Sequence, residues 1–253
     1  YPMALTGSGV IAPGMGSDVT GTSTIITLMH DAPVIDPEIS NVLAADGTWG
    51  AMTLLDAGGD AVRWARRAFH ANDRSYAQIA ADAEAAKPGA DKLFFLPYLS
   101  GERHHPGSRA QFFGLTAGHG LPELHRAVLE GVAFAVRQRL DGLQGDAGRP
   151  DRIVAASGGA KNALWLKIKA SMYDVPYLVP EELECGVVGA AMLMATATGD
   201  APDLTTAARR MVRYAEEVTP DQDWAETYNR MAPVFHRLYQ TASDIYPELD
   251  TLP

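Results

Sequence analysis

An apolar run, Arg152–Ala156, is followed at once by Ser157-Gly158-Gly159-Ala160-Lys161-Asn162 and then by a helical pattern opening at Ala163. A buried strand, a glycine pair and a helix start in immediate succession leave few folds open. Such a strand needs cover on both faces, so the chain reads as α/β. The glycine pair lets another group approach the backbone at the strand's end. Small residues there also serve plain strand–helix packing, and the pattern alone favours neither reading.

The rest of the chain alternates in the same way. Residues 1–9 read as the end of a helix, and Pro13-Gly14 as a turn. Ser23–Leu28 is a Thr- and Ile-rich strand, Asn41–Leu54 an extended pair and Lys92–Tyr98 a short apolar strand. Ala57–Phe69 and Leu121–Leu140 carry apolar residues at helical spacing. So does the surface helix within Asn72–Asp91, which Lys87-Pro88-Gly89 stops. Gly142–Pro150 is a polar turn, Ala163–Tyr173 a helix, Tyr177–Val179 a strand, and Cys185–Thr198 a helix of small residues that packs closely. The last stretch, 201–253, reads as a helical tail in which Ala225–Tyr246 is amphipathic and packs on its own domain or on a neighbour, a homodimer included.

Composition removes several classes of function. The formal net charge of −10 disfavours a polyanionic nucleic acid as partner, although backbone N–H groups can still hold one small phosphate. A single cysteine, Cys185, excludes an internal disulfide framework and a four-cysteine zinc site, and fits a reducing, cytoplasmic setting. No apolar stretch is long enough to span a bilayer, and residues 1–29 lack the Lys or Arg of a signal peptide. The chain opens on Tyr1 rather than Met, inside a helical pattern, so something is expected to precede it.

Motifs separate unevenly from their bland readings. Gly7-Ser8-Gly9-Val10-Ile11-Ala12 spells a permissive dinucleotide fingerprint, but the required strand-before, helix-after order is reversed. No Gly-Lys-Ser/Thr ending and no Gly-x-Ser-x-Gly elbow occur, which argues against a P-loop and against an α/β-hydrolase. Thr20-Gly21-Thr22-Ser23-Thr24 can aim amides and hydroxyls at phosphate oxygens, or be an ordinary hairpin turn. His104-His105 point to opposite sides of an extended segment and have no partner at metal-ligand spacing, so no metal site is expected. Met192, Met194 and Met211 read as core filler.

Four segments together carry a family resemblance. Ala110-Gln111-Phe112-Phe113-Gly114-Leu115, with Glu123-Leu124-His125-Arg126-Ala127-Val128-Leu129-Glu130 seven residues later, resembles the second signature of the FGGY carbohydrate kinases. Leu96-Pro97-Tyr98-Leu99-Ser100-Gly101-Glu102-Arg103 resembles that family's Pro-Tyr-Leu-x-Gly-Glu-Arg stretch, although the Glu102-Arg103 loop is shorter than the usual pentulose-kinase version. Gly158–Trp165 resembles its adenosine motif, and Glu184–Ala191 the Gly-Ala-Ala helix after it. Within the family the chain looks most like the xylulokinases.

The resemblance implies an actin-like, ribonuclease-H-type ATPase fold: a mixed sheet flanked by helices. It implies a single C-terminal, ATP-binding domain over 1–253, with the N-terminal sugar-binding domain and its Asp-x-Gly-Thr loop outside this chain. Carried over, Gly21, Thr22, Ser23 and Gly59 match phosphate contacts, and Gly158, Gly159, Ala160 and Asn162 match the adenosine contacts. Ser157 stands where a third glycine is usual. The family's general-base Asp falls immediately before Tyr1, and none of Asp18, Asp31 or Asp36 matches it. The implied activity is phosphorylation of a ketopentose by MgATP in the full-length protein, the isolated chain being inactive. A non-catalytic nucleotide-binding or assembly domain on the same fold is the competing expectation.

Overall fold

The computed structural model describes residues 1–103, 106–144, 148–249 and 251–252; the His104-His105 pair and part of the expected 142–150 turn lie outside them. A short helix, α1 (Pro2–Gly7), leads into β1 (Met15–Thr20), β2 (Thr24–His30), β3 (Ser40–Leu43) and β4 (Trp49–Leu55). Then come α2 (Gly59–His70), α3 (Tyr76–Ala85), β5 (Phe94–Leu96), β6 (Gln111–Phe113) and the long α4 (Leu121–Gln144). The second half holds β7 (Arg152–Ala156), α5 (Ala163–Tyr173), β8 (Tyr177–Pro180), α6 (Cys185–Ala197), α7 (Leu204–Met211), β9 (Tyr214–Val218) and α8 (Gln222–Leu249).

The main sheet has seven strands in the order β3-β4-β2-β1-β7-β8-β9, and β5 and β6 form a separate ribbon. Pairing is antiparallel from β3 through β1, parallel from β1 through β8, and antiparallel again at β9. The sheet is thus mixed, as expected. Its central strands are covered on both faces, which is why β2 reads Thr-Ile-Ile-Thr-Leu-Met-His with almost no alternation and is buried nearly throughout. Helix α4 lies across the core, against β2, β4, β5 and helices α2, α3 and α5.

Two strands depart from the sequence expectation. β1 lies in a stretch the sequence leaves unassigned between the Pro13-Gly14 turn and Ser23, because Met-Gly-Ser-Asp-Val-Thr carries a glycine and a charge and lacks a β-branched run. β9 interrupts the expected helical tail. Its residues Tyr-Ala-Glu-Glu-Val are mostly exposed at the sheet edge, where two glutamates discourage further pairing. Helix α8 packs on its own domain: Tyr228, Phe235, Ala242 and Tyr246 are buried in the same core as α4. Tyr228 and Arg126 also share the buried Glu130 carboxylate, at 2.8 and 2.7 Å.

Small residues set the α1–α6 contact. A Cβ on Gly7 would overlap the Cys185 carbonyl oxygen, and one on Gly189 the Met3 carbonyl oxygen. The two helix backbones therefore touch directly, as the composition of α6 leads one to expect.

A buried polar knot fixes β1 in the sheet. Lys169 on α5 donates to Asp18 Oδ2 and to Thr20 Oγ1, both at 2.8 Å. Thr20 Oγ1 donates to Asp18 Oδ1 at 2.6 Å, and the Tyr177 hydroxyl to Asp18 Oδ2 at 2.9 Å. Burial, and then the adjacent Asp18 charge, push the Tyr177 phenol well above its ordinary range. A charge removed from water this fully needs its partners. Lys169→Met leaves Asp18 buried without its cation and should cost about 3–5 kcal/mol in denaturant unfolding, and adding Asp18→Asn should recover a substantial part. Equal stability of the single variant and the unmodified chain would contradict the assignment.

A buried histidine gives the fold an acid limit. His125 on α4 is 2% exposed, and its Nε2 lies 2.7 Å from Nε2 of His70. Burial, and then the His70 charge, hold the His125 imidazole down at about 4, below its ordinary 6.5. Folding therefore opposes its protonation. The stability it carries is complete above about pH 6.5 and is lost as pH falls toward 4, about 3 kcal/mol in all. His125→Gln should flatten that limb of a melting-temperature profile; an unchanged profile would contradict it.

Candidate functional site

The parallel pairing of β1 with β7 aligns Val19 with Ala156, so both strands end side by side. The loops leaving the two strands therefore meet at one edge of the sheet, the edge at which open α/β sheets place ligands. After β1 comes the tight bend Gly21–Ser23, closed by a Gly21 N–H donation to Ser23 O at 2.9 Å. After β7 comes Ser157, one 3-10 turn over Gly158–Lys161, and Asn162, whose Oδ1 accepts from the Trp165 N–H at 3.0 Å and caps α5. Glycine at 159 is a packing requirement, since a Cβ there would lie 2.6 Å from Thr20 Cβ.

Helix α2 docks its first turn onto the β1–β2 bend. The Gly59 N–H donates to Gly21 O at 2.8 Å and the Asp60 N–H to Thr22 O at 3.0 Å. A Cβ on Gly59 would overlap the Gly21 carbonyl oxygen. This changes the reading of Gly59: it lets α2 reach the bend, and its amide is already engaged rather than open to a phosphate. The N–H groups of Thr22, Ser23 and Gly158 find no acceptor among the described residues.

These segments enclose a cavity of about 480 Å³, within the range of small-molecule sites. Gly21, Thr22 and Gly59 border it, and so do Gly158, Gly159 and Asn162. Six of the eight residues named from sequence thus share one hollow. Ser23 and Ala160 do not border it. Ser23 lends its carbonyl to the bend and packs under Gly58, and Ala160 is buried beneath the 3-10 turn.

Other wall residues escape a reading of the sequence. Val62 and Arg63 come from α2, Trp165 from α5, and Tyr76, Ala77 and Ala80 from one face of α3. The α3 spacing marks a helix, but nothing local marks which flank faces a ligand. Two larger hollows, of about 730 Å³ beside Trp64 and Arg109 and about 910 Å³ beside Lys87 and Arg230, border none of the unengaged amides.

The cavity reverses the sign of the chain. Against a net charge of −10, the charged wall residues among those described are Arg63 and Lys161. Arg63 donates to Asp60 Oδ1 through Nε and Nη2, at 3.1 and 2.9 Å, and to Thr22 Oγ1 at 3.3 Å. Cations and free amides with an apolar α3 wall suit a ligand with an anionic end and a flat apolar end. Among the described residues there is no cluster of His, Cys, Asp or Glu able to hold a metal ion, and no helix is long and apolar enough to cross a membrane.

Comparison with known proteins agrees with this geometry. The family model described as the FGGY family of carbohydrate kinases, C-terminal domain, matches residues 17–198. A gluconokinase of Bacillus subtilis is 30% identical over 264 residues, covering 96% of this chain and 50% of that protein. A xylulose kinase of the same organism is 27% identical over 246 residues, covering 94% and 49%. The ligand-bound xylulose kinase from Lactobacillus acidophilus superposes with a TM-score of 0.91 at 27% identity, covering 98% of this chain and 51% of that one. The chain thus spans about half the length of the relatives it matches. Its mixed sheet flanked by helices is the actin-like ATPase fold that the motifs imply. This chain belongs to the FGGY family of carbohydrate kinases and carries that family's C-terminal domain.

Proposed function

We propose that this chain is the nucleotide-binding part of an ATP-dependent sugar kinase, and that the whole protein phosphorylates a ketopentose, D-xylulose foremost. The observation that carries the reading is the convergence of the Gly21–Thr22 bend and the Gly158–Asn162 segment on one cation-lined cavity. The Thr22 amide and the Arg63 guanidinium serve the triphosphate end. Gly158, Gly159 and Asn162 seat adenosine, against the apolar wall of Ala77 and Ala80. The Asn162 Oδ1 is held by the Trp165 amide, so its side-chain NH₂ is what remains to donate.

The reaction moves the γ-phosphoryl group from ATP to a primary hydroxyl of the sugar. The hydroxyl oxygen forms a bond to phosphorus as the bond to ADP breaks, and the hydroxyl proton passes to a carboxylate. That base is the family's aspartate, expected just before Tyr1. Asp18 is unsuited to the role, being buried and held by Lys169, Thr20 and Tyr177. This chain's part is positioning and charge stabilisation. Mg²⁺, where bound, would neutralise phosphate charge; among the described residues the cavity wall offers hydroxyls and no carboxylate.

A second substrate reading rests on the gluconokinase of Bacillus subtilis, whose identity of 30% is as near as that of the xylulose kinases. D-Gluconate is accordingly the alternative acceptor.

Two measurements test the proposal. A Cβ on Gly158 meets nothing within 4 Å, so Gly158→Glu puts a carboxylate into the cavity without disturbing the fold. Calorimetry should show saturable ATP binding that this variant abolishes at unchanged melting temperature; ATP binding unaffected by it would refute the site. In a coupled ADP-release assay of the full-length protein, kcat/KM for D-xylulose should exceed that for D-gluconate by at least about tenfold. The reverse order would reassign the substrate.

A further inference from the structure

We propose that Ser157 is a ligand-contacting residue of the cavity, its hydroxyl donating a hydrogen bond to the α-phosphate of the bound nucleotide. The proposal rests on the nucleotide reading of the cavity and adds a contact to it.

Ser157 has φ 67° and ψ −161°. This region of backbone space is essentially reserved for glycine, because a Cβ crowds the adjoining peptide. Other non-glycine residues with positive φ, such as Ala71 and Asp174, close helices in ordinary left-handed geometry. Ser157 does not. It joins the last residue of β7 to the 3-10 turn, and glycine would hold the same path without strain.

The strain persists because both flanks are fixed. Ala156 is paired in register with Val19, the Ala160 N–H donates to Ser157 O at 3.2 Å, and Gly159 is pressed onto Thr20. The unusual backbone delivers the side chain to the cavity wall. There the hydroxyl stands 3.6 Å from where a Cβ on Gly21 would project, and it makes no hydrogen bond among the described residues.

A strained residue that presents an unused donor to a cavity is poorly explained by packing. Its place defines the partner. Gly21 and Thr22 line the hollow together with Gly158, Gly159 and Asn162, and Ser157 adjoins both sets: it precedes Gly158 in the chain and its hydroxyl faces Gly21. In a nucleoside triphosphate whose terminal phosphates meet the Gly21–Thr22 bend and whose nucleoside meets Gly158, Gly159 and Asn162, the group between them is the α-phosphate. A phosphate oxygen only accepts, so the serine must donate.

The test uses Ser157→Gly and Ser157→Ala in the 253-residue chain, with thermal unfolding and calorimetry against ATP, ADP, AMP and adenosine. Glycine relieves the backbone and alanine does not, so S157G should melt higher than the unmodified chain and S157A should not. Both should weaken ATP, ADP and AMP by about five- to tenfold and leave adenosine unchanged. The proposal is overturned if S157G fails to raise the melting temperature, if either variant binds ATP as tightly as the unmodified chain, or if adenosine weakens equally. Failure of the wider reading is separable, because there Gly158→Glu leaves ATP binding intact.

Discussion

The parallel pairing of β1 with β7 is the constraint on which the site depends. Five aligned pairs, from Met15–Arg152 to Val19–Ala156, bring two loops far apart in sequence to the same sheet edge. The hairpin with β2 holds one side of β1, but its Met-Gly-Ser-Asp start gives little strand propensity of its own. The Asp18 carboxylate secures the other side, buried and bonded to Lys169 and Tyr177 on the elements beside β7. A polar knot beneath the cavity thus sets the height and direction of the Gly21–Ser23 bend above it.

Glycines then set the clearances. Gly159 lets the 3-10 turn lie on Thr20, and Gly59 lets α2 lie on the bend. The outcome is a hollow whose walls come from β1, α2, α3 and α5, closed at the back by Trp165. The Lys169 ammonium lies 4.6 Å from the centroid of the same Trp165 ring, which joins the knot to the wall. Local charge is opposite to that of the chain as a whole, so an anion is attracted at short range although the protein repels polyanions at long range.

The most legible parts are those whose information is local. β7, the glycine pair and α5 occur with the boundaries the sequence implies, because apolar continuity, glycine and helical spacing are all read within a few residues. The bend at Gly21 is equally visible. β1 is not, since its strand character comes from Lys169, 151 positions away. β9 is hidden for a related reason: an exposed edge strand lacks the alternation that reports burial. Tyr76, Ala77 and Ala80 become wall residues only through the packing of α3 beside α2. Gly59 stands out in the sequence but not its part, because a close backbone approach and a phosphate contact ask for the same residue.

Hydrogen exchange with and without a non-hydrolysable ATP analogue tests the central claim most directly. If one cavity holds the nucleotide between the ends of β1 and β7, the analogue slows exchange in two separate peptides, one spanning 20–24 and one spanning 156–162, at the same half-saturating concentration. Protection of only one of them, or protection confined to the groove around residues 106–112, would contradict it.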